Sequence, residues 1–388
     1  MTFRDSILSS GEQRRQNGLW RQPRKLDATD GVRIEVDGRE LVNFSSNDYL
    51  GLASSDELKS ALAASAAEWG VGATASHLVC GHQQPHQDLE NEIAEFTGAE
   101  KAIVFSTGYM ANLAVPAAML SRHDLLLQDK LNHASLIDAG QLCLADTKRY
   151  RHLDHNHAAE ILQQQPDQKT LIATDGVFSM NGNVAPIVEL HQQCMENENR
   201  LLLVDDAHGF GVLGSDGKGS LEQHGMIPQG PILMIGTLSK SVGCFGAFVA
   251  GDAIWIEHLI QSARPFIYTT ALPCPIAVAA RTAIGLIRQQ PWRREKLHEN
   301  VATFRKLADE HNIELLPSQT PIQSVVFGSP ESAVAASETL QSKGFLVVAI
   351  RPPTVPAGTS RLRITLSTDH SQEQISALVK ELRETTCP

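Results

Sequence analysis

Lys240 closes the run Gly236-Thr237-Leu238-Ser239-Lys240, directly behind the apolar segment Ile232-Leu233-Met234-Ile235. Thirty-five residues before it, Asp205-Asp206-Ala207-His208-Gly209 follows a second apolar segment, Leu201-Leu202-Leu203-Val204. Short apolar runs bounded by turn residues read as buried strands. In a parallel sheet, ligands bind outside the carboxyl ends of such strands. An acid, a histidine and a lysine at two strand ends are what pyridoxal phosphate (PLP) asks of a protein: an amine for the Schiff base and a carboxylate facing the pyridinium nitrogen. A turn, a helix cap or a loop histidine explains any one of these residues alone. Their joint placement favours the cofactor.

Other chemistries fail on spacing. Gly209-Phe210-Gly211-Val212-Leu213-Gly214 fits the G-x-G-x-x-G pattern, but that motif opens a helix and needs an acid about 20 residues on. Here the turn-rich Ser215-Asp216-Gly217-Lys218-Gly219 follows, and Pro231-Ile232-Leu233-Met234 holds no acid. Gly217-Lys218-Gly219 lacks the Ser or Thr that follows a P-loop lysine. His152, His155 and His157 come without a recognisable set of partner ligands, so no metal is expected.

More strand ends carry polar groups. Ala102-Ile103-Val104-Phe105 runs into Ser106-Thr107-Gly108-Tyr109-Met110-Ala111-Asn112 and then a helical pattern. A helix start suits a phosphate, Gly108 lets backbone approach closely, and Tyr109 can pack on a ring. His133 follows Leu125-Leu126-Leu127 and can stack on a flat cofactor. Ser179 follows the strand near 170–173 and can bond a cofactor oxygen. Arg361 and Arg363 sit on a late strand and are expected on opposite faces, one clamping a carboxylate bidentately and the other a surface charge.

The elements that must hold these groups alternate. Ser54-Ser55-Asp56 caps a helix with Leu58, Leu62, Ala66 and Trp69 on one face and Gly70 as its stop. Leu89, Ile93 and Phe96 mark another, ending at Gly98. Strands at 102–105, 124–127, 170–173, 201–204 and 232–235 then alternate with helical patterns, the order of an α/β fold with a mostly parallel sheet. An arm over residues 1–50, a large α/β domain over 51–289 and a smaller α+β domain over 290–388 are expected.

The 388 residues carry a net charge of −11, which argues against nucleic acid and anionic membrane surfaces as partners. The run from Ala271 to Ile287 is broken by Pro273, Pro275 and Arg281, so no membrane span is expected. The start, Met1-Thr2-Phe3-Arg4-Asp5, has no apolar core of signal-peptide length. Six cysteines, at 80, 143, 194, 244, 274 and 387, form no C-x-x-C pair and suit free thiols. A cytoplasmic protein is expected.

These motifs, with Asn43-Phe44-Ser45-Ser46-Asn47-Asp48-Tyr49-Leu50-Gly51 and Asn132-His133-Ala134-Ser135, closely resemble the α-oxoamine synthases. Members of that family are fold-type I PLP transferases that join an amino acid to an acyl thioester with loss of carbon dioxide. The resemblance implies that Lys240 carries PLP and takes the amino-acid Cα proton. It implies that Asp205 faces the ring nitrogen, His208 the ring hydroxyl and His133 the ring face. Gly108, Tyr109, Ser179 and Thr237 match further cofactor contacts. Arg361 matches the amino-acid carboxylate clamp with Asn47 near it, and Arg21 and Thr354 match acyl-substrate contacts. Thr269 or Thr270 matches a phosphate contact from a neighbouring protomer, which implies a homodimer.

The segment from Ala349 to Thr359 resembles the branch of the family that takes L-alanine and a pimeloyl thioester, on coenzyme A or acyl carrier protein, in biotin biosynthesis. Sister acyltransferases using glycine or serine with acetyl, succinyl or long acyl thioesters are the alternative. Ala73-Thr74-Ala75-Ser76 departs from a more glycine-rich turn, and Asn181 stands where the family often has aspartate.

Overall fold

The first strands, β1 (Ala28–Asp30), β2 (Arg33–Val36) and β3 (Arg39–Asn43), form an antiparallel ribbon. Its tight turn uses Asp37 and Gly38, at φ +51° and +72°. Positive φ at both central residues matches the right-handed twist of flanking strands, and Asp-Gly tolerates it. Ile34, Val36 and Leu41 bury one face of the ribbon together with Leu346. Before it, α1 (Phe3–Gln16) begins with a reciprocal cap between Thr2 and Asp5, and none of its residues is buried. This is a computed structural model that describes residues 1–386. Cys387, and the free thiol expected there, lie outside the described residues. The five described cysteines are free.

The chain falls into two units. One contains residues 50–179 and 183–294; the other contains 1–49, 180–182 and 295–388.

The first unit opens with α2 (Asp56–Trp69), where Ser55 Oγ accepts from Leu58 N–H, and α3 (Gln84–Thr97), which ends at left-handed Gly98. The stripe expected on α2 is corrected by its packing. Leu58 and Ser65 are the buried residues, and Leu62 is 38% exposed. Small side chains on that line let α2 lie close against the helix Cys274–Gln289. Seven strands follow: β4 (Lys101–Phe105), β5 (Leu125–Asp129), β6 (Asp146–Tyr150), β7 (Thr170–Asp175), β8 (Arg200–Asp205), β9 (Ile232–Thr237) and β10 (Ala247–Gly251). They form one sheet in the order β4-β10-β9-β8-β7-β5-β6. The pairs from β9 through to β6 are parallel, whereas β10 runs against both its neighbours.

Ile103, Leu126, Leu171, Leu203, Leu233 and Ile235 belong to one buried cluster with Ile256, Leu259 and Phe266. Burying each such side chain stabilises the fold by about 1.5–3 kcal/mol. The edge strand β6 escapes sequence reading because Asp146-Thr147-Lys148-Arg149 is polar and only Tyr150 is fully buried. Helices α4 (Gly108–Met119) and α5 (Ala134–Leu142) start beyond β4 and β5. Asp129, Asp175, Asp205 and Thr237 are the last residues of their strands, so the sheet delivers its polar groups to one rim.

In the second unit, β11 (Ile322–Gly328), β12 (Phe345–Leu346), β13 (Val348–Ile350) and β14 (Ser360–Thr365) complete the strands. Strand β12 pairs in parallel with β3, and β14 lies between β11 and β13. Arg361 and Arg363 do not face opposite sides. Residues two apart on a strand share a face, and both are buried, at 5% and 8% exposure, so neither is a surface charge. Among the described residues, no helix is long and apolar enough to cross a membrane.

Candidate active site

A cavity of about 180 Å³ opens at the rim of the seven-stranded sheet. Gly108, Tyr109, His133, Ser179, Asp205, His208, Thr237 and Lys240, the eight residues expected to hold the cofactor, all line it. The fold brings them there for local reasons. Thr107 caps α4, its Oγ1 accepting from Met110 N–H at 3.2 Å. The N–H groups of Gly108 and Tyr109 have no hydrogen-bond partner among the described residues. A Cβ built on Gly108 would meet nothing nearer than Ala247 at 4.0 Å, so this helix start is open for a phosphate.

Asn132 ties the neighbouring loop to β7: its Nδ2 donates to Ala173 O at 2.9 Å and its Oδ1 accepts from Asp175 N at 3.0 Å. That sets His133 at the cap of α5. The His133 backbone N–H donates to both Asp175 carboxylate oxygens at 3.1 Å. Burial lowers the pKa of the His133 imidazole, Asp205 pulls it up, and Lys240 pushes it down. The Lys240 loop is closed by Gly243 N–H to Lys240 O at 2.8 Å and by Thr237 Oγ1 donating to Gly246 O at 3.1 Å.

Asp205 is 6% exposed and accepts from Asn112 Nδ2 at 2.6 Å and from Ala207 N at 3.1 Å. Asp206, next to it, is structural. Its Oδ2 accepts from Ser220 N at 2.6 Å, and burial pushes its pKa up to about 7. Tyr109 hydrogen-bonds Asp138, which raises its phenol. His152 bonds Asp129 at 3.0 Å, and the described residues contain no cluster that could hold a metal.

These residues fit PLP. An open helix start receives a phosphate, a buried carboxylate receives a ring nitrogen, and a lysine amine receives an aldehyde, all around one cavity.

Sequence reasoning passed over Asn112, Ser135, Asp175, Val177, Ala207 and Ser239, which share the lining. The signal for Asp175 was present, since it ends an apolar strand as Asp205 does. Asn112 stands one helical turn inside α4 and carries no such mark.

Of the residues expected to bind substrate, His133 lines the cavity, whereas Arg21, Asn47, Thr354 and Arg361 belong to the other unit. Arg361 Nε donates to Thr359 O at 2.9 Å, and its Nη1 donates to Asn181 Oδ1. Burial lowers its pKa from the usual guanidinium value. Asn47 bonds Arg363 at 3.1 Å rather than Arg361. Arg21 and Thr354 are exposed. Thr269 bonds Pro265 O, and Thr270 makes a backbone bridge with Ser76.

The chain matches the family described as aminotransferase class I and II over residues 39–382, and it belongs to that family. The fold is that of a fold-type I PLP-dependent transferase. It superimposes with a TM-score of 0.92 on a serine palmitoyltransferase variant from S. paucimobilis with a bound PLP-myriocin aldimine, at 27% identity, covering 98% of this chain and 96% of that one. The 8-amino-7-oxononanoate synthase of Francisella tularensis superimposes with a TM-score of 0.76 at 31% identity, over 89% and 98% of the two chains. In sequence, the chain is 48% identical over 372 residues to the 8-amino-7-oxononanoate synthase of Hahella chejuensis, covering 96% of this chain and 93% of the relative. That of Thioalkalivibrio sulfidiphilus is 50% identical over 372 residues, 96% and 95% of each. Within the larger family, the chain thus belongs with the 8-amino-7-oxononanoate synthases, PLP-dependent acyltransferases of biotin biosynthesis.

Proposed function

We propose that this chain condenses L-alanine with a pimeloyl thioester, carried on coenzyme A or acyl carrier protein, releasing carbon dioxide and the thiol and giving 8-amino-7-oxononanoate. The observation that carries the PLP chemistry is the convergence of Lys240, Asp205, His208 and His133 on one cavity. The choice of alanine and pimeloyl thioester rests on the relatives near half identity over nearly the whole chain. A cytoplasmic homodimer accords with the scattered free thiols and with Thr269 or Thr270 as a contact supplied to a second protomer.

When bound, PLP serves as the sink for the electron pair left at the substrate Cα. Lys240 holds the cofactor and, once released by the amino acid, takes the Cα proton on its amine. That role favours an amine whose pKa is lowered by its surroundings. Asp205 keeps a proton on the ring nitrogen by its negative charge, and Asn112 and Ala207 hold the carboxylate in place. His133, Ser179 and His208 line the same cavity and would hold the cofactor ring, His133 against its face and the other two at its polar substituents. Arg361 receives the alanine carboxylate, because its buried guanidinium is met only by the neutral acceptors Asn181 and Thr359 among the described residues. Arg21 and Thr354 contact the acyl substrate.

Incubating the PLP-loaded protein with alanine and pimeloyl thioester, and identifying the product by mass, tests the reaction. Parallel incubations with glycine or serine and other acyl thioesters test the sister reactions. Product from those alone would overturn the choice of substrates.

A further inference from the structure

The cavity wall contains a chain of four side chains whose donors and acceptors can be counted. Asn112 Nδ2 lies 2.6 Å from Asp205 Oδ2 and 2.8 Å from Ser135 Oγ. Ser135 Oγ lies 2.6 Å from His133 Nδ1, and Ser135 N–H also approaches that nitrogen at 3.3 Å. We propose that Asn112 and Ser135 are positioning residues that hold His133 as a neutral imidazole with its proton on Nε2.

The direction follows from chemistry at one end. An ionised carboxylate only accepts, so the Asn112 amide must turn its NH₂ toward Asp205. Its second N–H then donates to Ser135 Oγ. The Ser135 backbone N–H can only donate, so His133 Nδ1 is an acceptor, and the single hydroxyl proton of Ser135, whose oxygen accepts from Asn112, is directed at the same nitrogen. Two donors meet Nδ1, so this nitrogen must be bare. A proton placed there, whether in the other tautomer or in the imidazolium, would set donor against donor.

The charged groups around the ring are divided. Asp205 and Asp138 favour an imidazolium, Lys240 opposes it, and burial is the largest influence against it. Asp175 is engaged with the His133 backbone N–H rather than with the ring. The relay leaves a mark of its own: Asn112 Oδ1 is buried without a partner among the described residues. Turning the amide would set its oxygen against the Asp205 carboxylate, acceptor against acceptor.

Nε2 of His133 has no hydrogen-bond partner among the described residues, so its N–H is the donor the ring offers to the cavity. Resting on the proposed reaction, this makes His133 a donor to a substrate oxygen that gains negative charge, and not a base.

The test uses PLP-loaded protein labelled with ¹⁵N-histidine. The His133 signals are assigned by their loss in His133→Gln, and tautomer and titration are read from the ring ¹⁵N shifts. Wild type should show Nε2–H and stay neutral below the ordinary imidazole range. Ser135→Ala should raise the Nδ1–H population roughly tenfold, the effect of one lost hydrogen bond, and move the titration upward. Ser135→Thr, which keeps the hydroxyl, should restore wild-type behaviour. Should Ser135→Ala fold poorly, Asn112→Leu gives the same reading by freeing the hydroxyl to turn. Nδ1–H in the wild type, or a ratio unmoved by both substitutions, overturns the proposal. Turnover is measured alongside. A fall in kcat with an unchanged KM for alanine supports the donor role, whereas the ¹⁵N result with unaltered kcat sinks the donor role and keeps the tautomer. Absence of any condensation product in wild type, with the tautomer intact, counts against the proposed reaction alone.

Discussion

Asp175 and Asp205 are register partners at the ends of adjacent parallel strands, so two buried carboxyls stand side by side at the sheet rim. Like charges so placed resist joint ionisation. Asp175 gives way: burial first, and then the charge of Asp205, push its pKa well above the usual carboxylate range. The two acids therefore have different tasks. Asp205→Asn should lower kcat by roughly 10²–10³-fold, the scale of a lost electrostatic stabiliser. Asp175→Asn, which keeps an oxygen for the His133 N–H, should stay within about tenfold of wild type on the same scale. Equal damage from both in steady-state assays would refute this division.

Lys240→Ala should abolish turnover. In wild type, borohydride treatment of the PLP-loaded protein should fix the label to the tryptic peptide that contains Lys240, and peptide mass mapping locates it. Label on a different lysine would remove the basis for the active-site assignment.

Arg361→Lys should raise the KM for alanine about 10–100-fold with a smaller change in kcat. A point charge replaces a planar fork that can grip a carboxylate with two bonds, and a hydrogen bond to a charged group is worth about 1.5–3 kcal/mol. The comparison of KM with kcat decides it. An unchanged KM would mean that the carboxylate binds elsewhere.

Stability should fall away on both sides of a maximum lying between about pH 4.5 and about pH 6.5. Burial raises Glu90 to about 8 from 4.5, so the folded chain keeps a proton that the unfolded chain has lost. Its contribution to stability therefore falls as pH climbs from about 4.5 to about 8. Burial lowers His77 to about 3 and His370 to about 4 from 6.5, so the unfolded chain takes up protons that the folded chain refuses. That contribution is lost as pH drops below about 6.5. Glu90→Gln retains an acceptor for Val104 N–H and should flatten the alkaline limb of a plot of Tm against pH. A limb of unchanged slope would assign it to other groups.

The strands that carry the site were legible because Leu201-Leu202-Leu203-Val204 and Ile232-Leu233-Met234-Ile235 are buried on both faces and leave no polar alternation to confuse the pattern. The residues at their ends were legible for the same reason, since polarity begins where burial by helices stops. What stayed hidden depends on neighbours in space. Strand β6 is polar because it forms the sheet edge, with β5 its one neighbour among the described residues. Asn112 and Ser135 matter through partners far away in sequence. The burial of Arg363 depends on Asn47 and Tyr49, more than 300 residues before it.

One strand running against the others has a consequence for assembly. Strand β4 is the first of its sheet to be synthesised, yet its sole neighbour among the described residues is β10, the last. The edge that β10 covers must wait through the making of every intervening strand. Closing so distant a pair is slow, and an idle edge invites pairing with other chains. Within this sheet, the earliest strand to leave the ribosome is thus the one whose protection comes latest.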